Sequence, residues 1–402
     1  MNKTYDVMIV GAGVIGSALA LALSKQGYSI ALLDAQNPSF AATNPERVIA
    51  LNEGSKRYLD SLGVWQDMMQ QGAGWIKHVA VREPAHMSAM DMTHTELGNA
   101  PALGYVLEIR HVLEAIQQYF PSHMTTIYGG HCSDFSQNEQ GVSLRFTGDE
   151  GEQNLQARLL IGADGTHSFV RQQAGIQTYG WNHNRVGIVA SIQSQHGHAD
   201  TAYECFKEDG PIALLPLANG YFSLVWSVAP KMGVELLGLS DEGFMQTLQR
   251  ELGQELSQHI GAFVSIGKRA SFPLELRIAK SFVQDRILLA GNAAHTIHPI
   301  AGQGMNLGLR DVAVLCDVLQ QDWAKQDLLK PLIGQTYAER RRLDTIAVSG
   351  FTEGVLQAFS SSLLPQRWLR GQGLNTMQSH LGIKQWLLKQ AAGLGQQKGL
   401  KS

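Results

Sequence analysis

The chain has 402 residues, 44% of them hydrophobic and 17% charged, with a net charge of −3. That composition suits a globular body with room for two sizeable α/β domains, and it excludes a disordered or fibrous chain and a nucleic-acid partner for the protein as a whole. Cys132, Cys205 and Cys316 are odd in number, far apart and without a CxxC pair. They read as reduced, mostly buried thiols of a cytoplasmic protein, with neither disulfide framework nor metal cluster.

Residues 7–23 are largely apolar and follow Lys3, a pattern that a crude scan takes for a secretory leader or membrane helix. Patterned glycines divide the stretch instead. Tyr5 to Val10 is a short apolar run expected as a strand buried on both faces, and it leads into Gly11-Ala12-Gly13-Val14-Ile15-Gly16. A helical pattern follows, Gly27 closes it, and a second strand over residues 29–33 ends at Asp34. The three glycines serve different ends. Gly11 makes the tight turn, Gly13 lets backbone approach a pyrophosphate, and Gly16 lets helix and strand pack closely. The helix start receives phosphates, and Asp34 is placed for ribose hydroxyls. This is a dinucleotide site, with NAD and FAD still open.

Residues 75–82 read as a strand, and Leu159 to Ile161 as another that ends in the turn Gly162-Ala163-Asp164-Gly165. Three further strands, 186–192, 212–217 and 221–228, are separated by turn signals such as Ala218-Asn219-Gly220. Arg286 to Ala290 is again a buried strand, running into Gly291-Asn292-Ala293-Ala294-His295. Then come His298-Pro299-Ile300-Ala301-Gly302-Gln303-Gly304-Met305-Asn306 and a helix with Leu309, Val312, Ala313, Cys316 and Leu319 on its core face. His295 and His298 flank this loop and are candidates for acid–base work; the favoured reading is that each bonds a backbone carbonyl and holds the loop. From about residue 345 the chain reads as helical with glycine breaks. After Glu353 it carries no acid but keeps Arg367, Arg370, Lys384, Lys389, Lys398 and Lys401 among Leu and Trp residues. Such a segment suits either an anionic membrane surface or packing on its own domain.

The three glycine turns in this order resemble the flavoprotein aromatic hydroxylases, and within them the ubiquinone-biosynthesis group of UbiH, UbiF and UbiI. The match covers nearly the whole chain. It is carried by Arg47-Val48-Ile49-Ala50-Leu51, Leu62-Gly63-Val64-Trp65, Gly162 to Gly165, Gly210 to Leu217 and the run Gly291 to Asp311. Asn292 stands where the group usually has Asp, which points to the UbiH branch.

The resemblance implies a discontinuous Rossmann-like FAD-binding domain, an antiparallel-sheet substrate domain and a helical C-terminus. FAD-binding parts are expected at 1–74, 101–178 and 275–344, a substrate-strand insertion at 75–100, the substrate sheet at 179–274 and the helical segment at 345–402. It implies FAD contacts at Gly11, Gly13, Val14, Ile15, Asp34, Arg47, Arg110, Asp164, Gly291, Asn292, Gly302, Gln303, Gly304, Met305 and Asn306, with His295, His298 and Pro299 as the catalytic candidates. It further implies that NADPH or NADH reduces the flavin transiently, that O2 adds at flavin C4a, and that oxygen passes to a prenylated phenol, 2-polyprenyl-6-methoxyphenol at ring C1 in the UbiH branch. Other ubiquinone-synthesis proteins and the inner face of the cytoplasmic membrane are the implied contacts. The rival readings are an isoprenoid reductase on the same fold and a non-catalytic flavoprotein scaffold; the intact glycines and the Gln303-Gly304-Met305-Asn306 loop speak against the scaffold.

Overall fold

The structure is a computed structural model in which residues 4–37, 47–83, 88–148, 151–360, 382, 384–385, 388–389 and 392–394 are described. Thr4–Val10, Gly151–Gly162 and Ile287–Leu289 lie side by side and parallel, and Ile30–Asp34 and Thr125–Tyr128 extend the sheet beyond Thr4–Val10. Parallel strands are covered on both faces, so they read as unbroken apolar runs. Met8, Ile9, Leu32, Leu160, Ile161 and Leu288 are all buried accordingly. The helix Val14–Lys25 is buried from Val14 to Ser24. A helix apolar all round belongs in a core, and this explains the leader-like stretch.

The second sheet has nine strands. It is antiparallel except where Thr201–Cys205 runs parallel to His78–Glu83. The expected strand 75–82 divides in two. Gly74–Ile76 joins a separate three-stranded sheet with Val48–Asn52 and Gly104–Glu108, and only His78–Glu83 enters the large sheet.

Alternation along the large sheet decides its two faces. Ile212, Leu214, Phe222, Leu224, Trp226 and Val228 share a core with Phe244, Leu248, Leu252 and Leu256 of the helix Asp241–Ile260. The intervening Ala213, Leu215, Val225 and Ser227 turn the other way, toward His298 and Gly302. One face is thus closed by a helix and the other is left for the site.

A single helix, Leu332–Ser360, crosses the division expected at 344/345. Near its start Tyr337 donates to the Leu289 carbonyl at 2.8 Å. Toward its end Glu353 stands 3.4 Å from His183 of the large sheet. The described part of the basic C-terminal segment packs on its own domain: Gly54 N–H donates to Ala392 O at 2.9 Å. Lys384, one of the basic residues that suited either a membrane surface or domain packing, is buried and pairs with Glu96 at 2.6 Å. Lys389 is exposed, and Arg367, Arg370, Lys398 and Lys401 lie outside the described residues. No helix among the described residues is long and apolar enough to cross a membrane. All three cysteines are unpaired, and burial pushes each thiol up to about 12, so none is a ready nucleophile.

Candidate active site

Strand register brings the three glycine turns to one edge. Val10 is level with Gly162, and Gly162 with Leu289. The ladder runs one residue further, with Ala163 N–H donating to Val10 O at 2.7 Å and Ala290 N–H to Gly162 O at 2.9 Å. The turns therefore meet beyond the C-terminal ends of adjacent parallel strands, where open α/β sheets take ligands.

The glycines of the first turn do different work. Gly11 has φ +106°, and a Cβ there would fall 2.3 Å from the Ala163 carbonyl oxygen. A Cβ on Gly16 would fall 1.8 Å from the Gly11 oxygen. These two clamp the turn against the second motif. Gly13 instead faces open space, with nothing within 4 Å of a Cβ. It caps the helix Val14–Lys25, which has no side-chain cap and no acid in its first turn. The first-turn N–H groups of Val14, Ile15 and Gly16 have no acceptor within the helix. This cradle fits a pyrophosphate. The Ile15 side chain is not part of it, because it packs on Gly291 and Gly308. Asp34 accepts from Ala12 N at 2.6 Å and from Gln36 N at 2.9 Å, which leaves each oxygen a lone pair for a ribose hydroxyl.

Around the other two turns, two of the expected contact residues, Asp164 and Asn306, are occupied in holding the loops. Asp164 accepts from Ser168 Oγ at 2.5 Å and Val170 N at 3.1 Å, while Ser168 Oγ caps the short helix Phe169–Gln173 by accepting from Arg171 N at 2.9 Å. Arg171, buried, donates to the carbonyls of Ala293 and Thr166, each at 2.8 Å, and ties the second turn to the third. Asn306 spends its whole amide: Oδ1 accepts from Asn52 N at 2.9 Å and Ser55 Oγ at 2.7 Å, and Nδ2 donates to Ala50 O at 3.0 Å and Gly302 O at 2.8 Å. By contrast, Asn292 is exposed. Gly302, at φ +60°, caps the helix Gln303–Gln320, again with no side-chain cap and no acid in the first turn. Above Gly304 the nearest atom to a Cβ is 3.8 Å away, on Ile297. A second open, positive helix start results. Gln303 begins that helix, and Met305 packs against the core.

His295 departs from expectation. It bonds no carbonyl; its Nε2 meets Asp311 Oδ2 at 2.6 Å, with both side chains fully buried. The same Asp311 oxygen accepts Gly291 N–H at 2.8 Å, and Oδ1 pairs with Arg341 Nε at 2.6 Å. Burial alone would raise this carboxyl, but His295 and Arg341 reverse that and hold it below the usual range. His295 therefore positions the Gly291 turn through Asp311.

His298 is different again. Its Nδ1 accepts the Ile300 N–H at 3.3 Å, which places the ring proton on Nε2. Burial, with His183 and Arg185 facing it, pushes its pKa down to about 3. It is a neutral hydrogen-bond donor rather than a base. Two cavities share His298 and Pro211. A small one, about 30 Å³, lies between Pro299 and Gly302 below and Ala213, Leu215 and Val225 above. The larger, about 190 Å³, reaches outward past Trp181, His183, Phe206 and Glu353.

Arg47 and Arg110 are brought together by the pairing of Val48 with Glu108, and Ile109 N–H donates to Arg47 O at 2.8 Å. Arg47 is exposed, and Arg110 pairs with Glu108 at 2.5 Å. Asp311, Arg341, Asn52 and Ser55 were not picked out by the motifs. Asp311 ends the long matching run and was within reach. His183 and Glu353 carry no sequence signal.

A family profile described as "FAD binding domain" matches residues 4–348. The chain is 32% identical to the 3-demethoxyubiquinol 3-hydroxylase of Escherichia coli K12, over 98% of this chain and all of that one. It is 31% identical to the ubiquinone hydroxylase UbiL of Rhodospirillum rubrum, over 98% of this chain and 90% of the other. Among solved structures, the p-nitrophenol 4-monooxygenase of Pseudomonas putida DLL-E4 superposes with a TM-score of 0.81 at 19% identity, over 98% of this chain and all of that one. That last likeness concerns the fold.

Proposed function

We propose that this chain, which belongs to the FAD-dependent ubiquinone-biosynthesis hydroxylase family, hydroxylates 2-polyprenyl-6-methoxyphenol at ring C1. It is an FAD-dependent monooxygenase that draws electrons transiently from NAD(P)H. The observation that carries the reading is the meeting of an open, positive helix start at Gly302–Gly304 with the apolar face of Ala213, Leu215 and Val225, across a cavity. In this reading Gly13 and the first-turn N–H groups take the pyrophosphate, Asp34 the ribose, Asn292 the ribitol, and Arg47 and Arg110 the phosphate edge. When bound, FAD supplies the electron transfer from NAD(P)H to dioxygen that yields an electrophilic oxygen. The chain's own part is to seat the phenol ring, to hold charge at the helix start and to exclude water. The proposal includes a cytoplasmic enzyme that works beside other ubiquinone-synthesis proteins. It also includes a contact with the inner membrane face through Arg367, Arg370, Lys389, Lys398 and Lys401.

Asn292, in the place of the more usual Asp, supports the C1 branch. A second reading, hydroxylation at another position of the same prenylated ring, is supported by the full-length similarity to the 3-demethoxyubiquinol 3-hydroxylase. Mass spectrometry of quinone intermediates in a deletion strain separates the two. Accumulated 2-polyprenyl-6-methoxyphenol supports C1, and accumulated demethoxyubiquinol supports the second reading. An unchanged quinone pool refutes both.

A further inference from the structure

Three titratable side chains converge on the larger cavity, two of them buried and the third, His183, half-buried. His183, His298 and Glu353 all line it. Nε2 of each histidine and Oε1 of Glu353 are buried without a hydrogen-bond partner. His183 Nε2 lies 3.4 Å from Glu353 Oε1, and the rings of His183 and His298 meet edge to face at 5.4 Å. A buried polar atom left unpaired costs about 1–3 kcal/mol, so three around one cavity call for a function.

The backbone is bent to bring His183 there. The register of Thr178–Ser194 against Ala270–Ala279 shifts between Asn182 and Arg185. Within the shift Asn184 takes φ +54°, held by its N–H donating to Asn182 Oδ1 at 2.7 Å. Bulges of this kind re-aim side chains and gather beside active sites. The third group, Glu353, comes from the far end of Leu332–Ser360.

We infer that Glu353 is the base that takes the proton of the substrate phenol, while His298 Nε2–H donates to the same oxygen and His183 positions the carboxylate. This rests on the phenol-hydroxylase reading above. The phenol O–H bond breaks, the proton bonds to Glu353 Oε1, and the electron pair stays on the phenol oxygen, which raises the electron density of the ring. The proton leaves through the cavity mouth after turnover, and no oxidant or reductant is needed. Burial raises the Glu353 carboxyl and lowers the His183 imidazole, so the two approach one another in proton affinity. The other charged groups on the larger cavity are Arg185, engaged with the carbonyls of Glu208 and Asp209, and Lys207, engaged with Glu251. Glu204 lines the smaller one. Glu353 acts directly on substrate, whereas His183 acts through it.

The test uses the FAD-loaded full chain and a short-chain 2-prenylphenol. Ionisation of the bound probe is followed by near-ultraviolet difference spectra, and hydroxylated product per NAD(P)H is measured across pH. Glu353→Gln should cut hydroxylation kcat about tenfold and lower the apparent pKa of the bound phenol, because the negative charge that opposes the phenolate is gone, with KM and FAD content nearly unchanged. His183→Gln should shift both in the same direction by less. Ionisation and kcat equal to wild type in both variants would overturn the inference. If Glu353→Gln fails to hold FAD, His183→Gln and wild type decide: an equal His183→Gln profile, or a wild-type product yield flat with pH, overturns it. A wild type that holds FAD but neither binds nor hydroxylates the phenol overturns the functional reading itself, and the inference with it.

Discussion

Gly13 and Gly11 stand two residues apart in one turn, yet replacing each with Ala should have opposite consequences. At Gly11 the backbone sits at φ +106°, and the new Cβ would press on a backbone carbonyl 2.3 Å away. Strain at such a φ costs about 1–3 kcal/mol and overpacking about 1–3 more, against a total stability of about 5–15. Gly11→Ala should therefore express poorly or melt early even without cofactor. At Gly13 the backbone is ordinary extended chain, φ −66° and ψ −178°, and a Cβ meets nothing. A less mobile unfolded chain gains about 0.4–1 kcal/mol, the poorer N-cap loses a similar amount, and the apoprotein should melt within about 1 kcal/mol of wild type. The methyl group would instead occupy the space of the pyrophosphate. Losing one charge-assisted bond costs about 1.5–3 kcal/mol, so Kd for FAD should rise about ten- to a hundredfold. FAD titration by flavin fluorescence quenching, beside thermal melts of apo- and holoprotein, measures both effects. Unchanged FAD affinity in Gly13→Ala, or an apoprotein as damaged as Gly11→Ala, would refute the reading of the cradle.

Four further outcomes are expected. Asn292→Ala should weaken FAD retention while changing apoprotein stability by less than about 0.5 kcal/mol, because Asn292 is exposed; Asn292→Asp should largely keep it, and equal retention by all three proteins would remove Asn292 from the site. Asn306→Ala unpairs four groups in the interior and should cost about 2–5 kcal/mol in denaturant unfolding, with FAD lost in step. His298 has its folded pKa depressed to about 3, so its contribution to stability is complete above its unfolded pKa of about 6.5 and is lost as pH falls from there to about 3; between pH 7 and 5 wild type should lose about 2 kcal/mol more than His298→Gln, and equal losses would contradict the burial assigned to it. Lys384→Ala should destabilise the fold by about 1–3 kcal/mol, by removing the ion pair to Glu96 Oε1, and leave binding to anionic vesicles unchanged.

What was legible in the sequence was whatever backbone geometry alone dictates. Each glycine turn follows an apolar strand and opens toward a helix, and that local pattern survives without knowledge of the rest of the chain. Register adds the one fact needed to join the turns, that Val10, Gly162 and Leu289 are level. Side-chain roles were less legible, because a residue type fixes what it can donate or accept but not which partner reaches it first. Asn306 sits in the matching loop and reads as a ligand, yet four protein groups saturate its amide. His295 and His298 lie three residues apart with the same chemistry, and a buried carboxylate facing one and a backbone N–H facing the other give them unrelated roles. Lys384 reads as a basic surface residue until Glu96, distant in sequence, turns out to be its partner. The same reasoning explains why Glu353 and His183 were out of reach. Neither belongs to a motif, and their meeting depends on a register shift in one strand and on a helix that runs through an expected boundary. A motif records contacts with the cofactor, which are made largely by backbone and by small residues. The groups that would handle the substrate's proton come from elements that the cofactor never touches, and they become visible only as polar atoms left without partners around a cavity.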